Sequence, residues 1–256
     1  MLNSKNAEQA AKLIWDCWEN GGTMDTLPYG LHPQTRADGY AIQAYFEKFS
    51  GQPIFGWKIA ATSAAGQNHI GVTGPLAGRI LQERIFPADS TLKFGVNKMA
   101  VAEAEFAFHM GKTLEPRPTE YSQDEVLLAV DTLHPAIEIP NSRFNNFALV
   151  GEEHLIADNA CAHEFVIGPP MPDLWRSINL ATHNVNISVL NGTSNSGLGS
   201  NVLGDPRVAL TWLVNELSRN NISLLTGNTI ATGTCTVPIP IKEDDIITAD
   251  YGILGL

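Results

Sequence analysis

The chain has 256 residues, 44% hydrophobic and 17% charged, a balance that excludes a disordered protein. That length suits one large domain, or one with a small appendage, burying about three quarters of its extended surface without disulfides. With 16 basic and 27 acidic residues and a net charge of −11, it lacks the clustered Lys and Arg that nucleic acid requires.

The first predicted element is a helix over "NAEQAAKLIWDCWENGG", with Ala10, Leu13, Ile14, Cys17 and Trp18 on one face and Gly21-Gly22 ending it. A second helix is expected across "TRADGYAIQAYFEKFSG", with Ala41, Ile42, Tyr45, Phe46 and Phe49 inward. A linker near residues 49–53 would separate an N-terminal helical segment, 1–50, from a β-rich catalytic body, 51–256. Strands then dominate: "PIFGWKIAAT", "MAVAEAEFAFHM", "PAIEIP", "HEFVIG", "NVNISVL", "NTIATGT" and "DIITADYGI". Two helices interrupt them. One opens on a capping box from Ser122 to Glu125. The other opens on Asp205 as N-cap with Pro206 at its first position. Strands and helices do not alternate regularly, so the expected class is α+β, a mixed sheet folded on itself behind a helical N-terminal segment.

Cys17, Cys161 and Cys235 have no paired spacing, which suits free thiols in a reducing compartment. The first residues carry no signal-peptide pattern. No apolar run approaches the roughly 20 residues of a membrane span. A cytoplasmic protein without nucleic-acid or membrane partners is expected.

In a strand, alternate side chains share a face. In "MAVAEAEFAFHM" one face is wholly apolar, while Val101, Glu103, Glu105, Ala107 and His109 form the other. Taken alone, Glu103 and Glu105 read first as a solvated stripe. The alternative is a shared cation, since same-face neighbours lie about 7 Å apart and like charges in a dry site need a positive partner. Glu138 interrupts a second apolar strand, which Pro135 and Pro140 bracket and so place its ends at turns or an edge. Lys58 shares a face with Gly56 and Ala60, which would leave room beside it for a ligand; a surface lysine on an edge strand is the other reading. No nucleophile elbow, Walker loop, dinucleotide glycine pattern or zinc spacing is present.

Taken in order, "GWKIAATS", "GVTGPLAGRIL", "VAEAEFAF", "PAIEIPNSRF", "ADNA", "SGLGSNVLGDPRVALTWLVNEL" and "IATGT…DDIITADYGILG" resemble one family from about residue 40 to the C-terminus. It is the 2-oxopent-4-enoate hydratase and 2-oxo-3-hexenedioate decarboxylase branch of the fumarylacetoacetate hydrolase superfamily. The resemblance implies that superfamily's mixed β-sheet roll and a divalent ion, Mg²⁺ or Mn²⁺, held by Glu103, Glu105 and Glu138. It further implies that Lys58 faces the substrate and moves protons with a pKa lowered by the ion. Asp158 joins Lys58 as a catalytic candidate, with Ser142, Arg143, Asn159, Gly233 and Thr234 as substrate-binding candidates. Leu76 stands, beside Ala77, where hydratases commonly carry an acid, which would make that wall of the substrate site apolar. The implied activity is hydration of small 2-oxo acids, in a homo-oligomer. A decarboxylase, a tautomerase, a C–C bond hydrolase and a non-catalytic metabolite-binding protein are the other readings.

Overall fold

The protein is described here by a computed structural model of residues 2–255. Its helices are α1 (Ser4–Asn20), α2 (Arg36–Gln43), α3 (Tyr45–Ser50), α4 (Ala64–Ile70), α5 (Gln123–Leu127), α6 (Glu152–Ala157) and α7 (Pro206–Arg219). Its strands are β1 (Ile54–Ala60), β2 (Leu76–Leu81), β3 (Ile85–Pro87), β4 (Val101–Met110), β5 (Val130–Ile139), β6 (Glu164–Ile167), β7 (Asn184–Val189), β8 (Ser194–Leu198), β9 (Thr229–Thr234), β10 (Ile239–Pro240) and β11 (Ile247–Asp250). Strands β2, β3, β8 and β10, and helices α4 and α6, carry too little periodic signal to be read from the sequence.

The caps form as the residues dictate. Asn3 accepts from the Asn6 N–H, Gly21 closes α1 in the left-handed region, and both halves of the Ser122–Glu125 capping box are made. The inward face of α1 is Ala7, Ala10, Ala11, Ile14 and Trp18. Leu13, expected inward, is 37% exposed because it lies off that stripe. The expected second helix is two, α2 and α3, meeting at Ala44. Ala41 faces solvent instead of the core. The inward positions of α2 are Asp38, Gly39, Tyr40, Ile42 and Gln43, since Asp38 accepts from Leu2 and Gln34 N–H groups and Gly39 packs directly on α6. A Cβ on Gly39 would stand 2.8 Å from the Glu153 carbonyl oxygen.

The main sheet has eight strands, in the order β2-β1-β9-β4-β5-β6-β3 with β10 added to β4. Laid flat, that seven-strand path would be about 29 Å wide at the usual strand spacing. Yet its two ends, β2 and β3, are joined only by Gln82–Arg84, a link that reaches on the order of 14 Å. The sheet must therefore curl into a roll, and on its concave side Ile80 of β2 meets Phe165 of β6. The convex side carries Trp57, Ile59, Phe106, Phe108 and Leu133 into the main core, shared with α7 and with the second sheet, β11-β7-β8.

Pro135 does not end a short strand but lies inside β5, between β4 and β6. The missing N–H is tolerated because the Pro135 backbone faces β6 just where β6 stops. There its carbonyl accepts from the Gly168 N–H at 2.9 Å. No helix among the described residues is long and apolar enough to cross a membrane.

Candidate metal centre

Strand register builds the site. Glu103 faces Glu138 directly across β4 and β5, and Glu105 lies two residues along on the same concave side. Lys58 lies opposite Gly78 of β2 and beside Ala231 of β9, an interior strand position and not an edge. One oxygen from each of the three carboxylates falls within 4.8 Å of the others. Glu105 and Glu138 are fully buried and Glu103 is half-buried.

Partners within the protein are few. The Gly233 N–H donates to Glu105 Oε2 at 2.8 Å. Lys58 Nζ donates to the Ala160 carbonyl at 2.9 Å and stands 2.9 Å from Glu138 Oε1, an ion pair not aligned as a hydrogen bond. Glu105 Oε1 and Glu138 Oε2 have no hydrogen-bond partner among the described residues, and Glu138 Oε1 has only the Lys58 ammonium beside it. Such orphaned buried acceptors are uncommon and call for a ligand. Were all three carboxylates ionised against one ammonium, two negative charges would remain uncompensated in a dry interior. Oxygen-only donors favour hard divalent ions over thiophilic ones. Donor type, orphaned oxygens and residual charge all fit one such cation.

The protonation states follow from the same crowding. Burial and then the Glu138 charge push Glu103 up to about 7. Burial, Glu138 and Glu103 push Glu105 well above the usual carboxylate range. Burial raises Glu138 as well, against the pull of Lys58. For Lys58, burial alone would lower the pKa, but Glu138, Glu103 and Glu105 outweigh it and hold it above the ordinary value. The sequence reading has this pKa lowered by an ion; the chain's own charges act the other way and keep the lysine protonated. Carboxylates must shed protons to become ligands. Mg²⁺ binding near pH 7 is therefore expected to release protons, with apparent affinity rising as pH climbs through about 7. Calorimetric titration in two buffers of unlike ionisation heat reads this directly, and identical enthalpies would contradict it.

The expected room beside Lys58 is filled by backbone. A Cβ on Gly56 would stand 1.8 Å from the Thr229 carbonyl oxygen, so this glycine admits β9, not a ligand. A Cβ on Gly78 would stand 2.2 Å from the Asn159 carbonyl oxygen, so Gly78 admits the turn that carries the lysine's acceptor. In that turn Asn159, Ala160 and Cys161 have φ of 57°, 51° and 61°. Three consecutive left-handed residues without glycine are strained and persist only where their surroundings hold them.

The surroundings are the other candidate residues. Asn159 accepts from the Arg79 N–H at 2.6 Å and donates to its carbonyl at 2.7 Å. The buried Asp158 carboxylate accepts from Ser142 Oγ at 2.6 Å and from Arg143 Nε at 2.5 Å. Arg143 also donates to the carbonyls of Asn141, Ala162 and Asp158, and its guanidinium stacks 4.3 Å from the Trp18 ring. Ser142 Oγ accepts from the Phe144 N–H as well. The polar groups of Asp158, Ser142, Arg143 and Asn159 are thus turned on one another and on backbone. Thr234 Oγ1 likewise donates within its own loop, to the Thr236 carbonyl at 2.8 Å. Leu76 pairs with Ala60, shares the Lys58 face and is fully buried.

Two contributors escape sequence reasoning. The Ala160 carbonyl is a backbone group in a turn with no glycine to announce it. Tyr251 is buried behind β4, its hydroxyl 2.6 Å from the Glu105 carbonyl oxygen and 3.0 Å from that of Ala136; only its place in the closing "DYGILG" could have hinted at it. Cys161 is not poised as a nucleophile: burial, then Asp158, pushes its thiol up to about 12.

A curled mixed sheet behind N-terminal helices is the architecture of the fumarylacetoacetate hydrolase fold. No family model matches the chain. The 2-hydroxyhexa-2,4-dienoate hydratase of Comamonas testosteroni is 32% identical over 251 residues, covering 96% of this chain and 93% of the relative. The 2-keto-4-pentenoate hydratase of Paraburkholderia xenovorans is 28% identical over 258 residues, 99% of this chain and 94% of the relative. Among solved structures, the 4-oxalocrotonate decarboxylase of Pseudomonas putida G7, complexed with magnesium and adipate, superposes with a TM-score of 0.89 at 26% identity, over 100% of this chain and 97% of that one. The chain belongs to the 2-keto-4-pentenoate hydratase and 4-oxalocrotonate decarboxylase family of the fumarylacetoacetate hydrolase superfamily.

Proposed function

We propose that this chain is a metal-dependent hydro-lyase that adds water at C4 of small 2-hydroxydienoic acids, in the breakdown of aromatic compounds. The observation that supports it is the buried, charge-unbalanced triad of Glu103, Glu105 and Glu138 with Lys58, in a chain that matches hydratases over nearly its full length. Glu103, Glu105 and Glu138 would hold the divalent ion, Mg²⁺ or Mn²⁺. When bound, that ion supplies Lewis-acid stabilisation of an enolate and a chelating anchor for a 2-oxo acid. Lys58, protonated and held by the Ala160 carbonyl, would give a proton to C5 of the dienol and regain the one its 2-hydroxyl releases. It would then give a proton to C3 and regain one from the water whose oxygen adds to C4. The buried wall that includes Leu76 would exclude water from the far end of the substrate. To Asp158, Ser142, Arg143 and Asn159 we assign positioning: they fix the left-handed turn, and through Ala160 they aim the lysine.

The catalytic groups fall within residues 51–256, with 1–50 as a covering layer. We also propose a homo-oligomer, supported by Leu190 just after β7, Ile246 just before β11 and Val237 before β10, which are 61%, 60% and 71% exposed. Three free cysteines fit the reducing cytoplasm.

A second reading is favoured by one observation, the likeness to the decarboxylase. Product masses separate the two. With 2-hydroxypenta-2,4-dienoate and Mg²⁺, the product is expected to gain one water. An unchanged mass with a shifted ultraviolet band would reduce the enzyme to a tautomerase. Loss of carbon dioxide from a 2-oxo-3-enedioate, without hydration of the dienoate, would make it a decarboxylase.

A further inference from the structure

The outer edge of β2 is completed by two side-chain amides in place of another strand. β2 ends the path of the main sheet, so its backbone groups that face away from β1 have no strand to pair with. Asn159 bonds the N–H and the carbonyl of Arg79, at 2.6 and 2.7 Å. Gln43, the last residue of α2, bonds the next outward carbonyl: its Nε2 donates to Ala77 at 3.0 Å. The same Nε2 donates at 2.8 Å to the carbonyl of Ile156, in the last turn of α6. Gln43 thus fastens α2, β2 and α6 at one fully buried point.

That point adjoins the lysine. α6 ends at Ala157 and leads through Asp158 into the left-handed turn of Asn159, Ala160 and Cys161. Gly78, between the bonded residues Ala77 and Arg79, lies opposite Lys58 and is where the turn rests on β2. The turn presents the Ala160 carbonyl that accepts from Lys58 Nζ. Gln43 therefore sets the spacing between the strand beside the lysine and the helix that delivers the lysine's acceptor.

The residue type is informative. Gln43 Oε1 accepts from Arg79 Nη1 at 2.6 Å. Arg79 is 6% exposed, its Nε has no partner among the described residues, and its guanidinium lies 4.6 Å from the Trp57 ring centre. A buried guanidinium is ordinarily paired with a carboxylate. Glutamate at 43 would supply one, yet it would set two buried carbonyls against an oxygen with no proton to give. The amide serves the arginine and both carbonyls, and its donor half is the part that reaches the turn.

We infer that Gln43 is a positioning residue for proton transfer, acting through α6 and the turn to hold the Ala160 carbonyl at Lys58. The helical layer of residues 1–50 thereby reaches the chemical step without touching substrate. The inference rests on the proposed function for the role of Lys58, and on the Gln43 hydrogen bonds for the residue.

The test is Gln43→Glu, which keeps the size and the acceptor for Arg79 but loses both donated bonds. Gln43→Met takes its place if the glutamate variant does not fold. With 2-hydroxypenta-2,4-dienoate and Mg²⁺, well below the melting temperature, kcat is expected to fall about 10-fold or more. KM and Mg²⁺ affinity should stay within about two-fold of wild type, since the carboxylates stand on β4 and β5, away from the lost bonds. A second readout needs no substrate. In hydrogen exchange followed by mass spectrometry, peptides over 156–162 should exchange about 10-fold faster in the variant, and those over β4 at the wild-type rate. A lowered Tm with unchanged kcat would overturn the inference and leave Gln43 a packing residue. Mg²⁺ affinity falling in step with kcat would overturn it too, because the whole site would then have loosened. So would wild-type exchange over 156–162. Wild-type protein that leaves the dienoate untouched would remove the proposed function instead, and faster exchange over 156–162 would still show Gln43 holding the turn.

Discussion

Stripping divalent ions should abolish turnover, and adding Mg²⁺ should restore it. With three carboxylates and one ammonium in the site, the metal-free chain relieves its repulsion by keeping protons on Glu103 and Glu105. With those protons in place and no ion bound, the site cannot anchor a 2-oxo acid, so the loss should reach the assay background. Stability should respond as well, because the ion binds only the assembled site. Mg²⁺ at 100 times its dissociation constant is expected to add about 2.7 kcal/mol, which for a chain of this size raises Tm by on the order of 5–10 °C. Dialysis against a chelator, followed by activity and melting measurements with and without Mg²⁺, checks both. Full activity in a metal-free sample would remove the ion from the account.

Replacing Lys58 with methionine should lower kcat by roughly 100-fold or more, the usual scale of lost proton transfer. Methionine keeps the length and the packing against Gly78 and Ala231, so the roll should survive. What disappears is the cation paired with Glu138. The metal-free variant should consequently lose stability or hold its carboxylate protons more tightly. The Mg²⁺-loaded variant should melt close to the loaded wild type, because the dication then supplies the compensating charge. Kinetics and melting curves on both forms distinguish this from simple misfolding. Near-normal turnover would leave Lys58 a structural partner of Glu138.

How far the sequence carries depends on which physical signal each part emits. Strand alternation in "VAEAEFAFHM" is a period-two pattern that needs no tertiary knowledge, and it puts Glu103 and Glu105 on one face, as the structure has them. The caps at Ser122 and Asp205 are equally local and legible. The setting of Glu138 is not local. Pro135 reads as a strand end, and only the stopping point of β6 makes it acceptable inside β5. Gly56 and Gly78 read as open space beside the lysine, whereas each admits a neighbouring backbone whose approach no residue in β1 or β2 announces. The Asn159–Ala160–Cys161 turn is silent for the same reason: it is held left-handed by Asp158, Arg143 and the edges of β2, not by its own residues. Leu13 and Ala41 fail on a finer scale, where one step around a helix decides between core and solvent.

The central claim is that Glu103, Glu105 and Glu138 together hold one divalent ion. The most direct measurement is an anomalous difference map from crystals grown with Mn²⁺ as a scattering substitute for Mg²⁺. One strong peak per chain, within coordination distance of an oxygen from each of the three carboxylates and near Lys58 Nζ, is the predicted result. A map with no peak there, or with its peak on surface carboxylates while the triad stays bare, would contradict it.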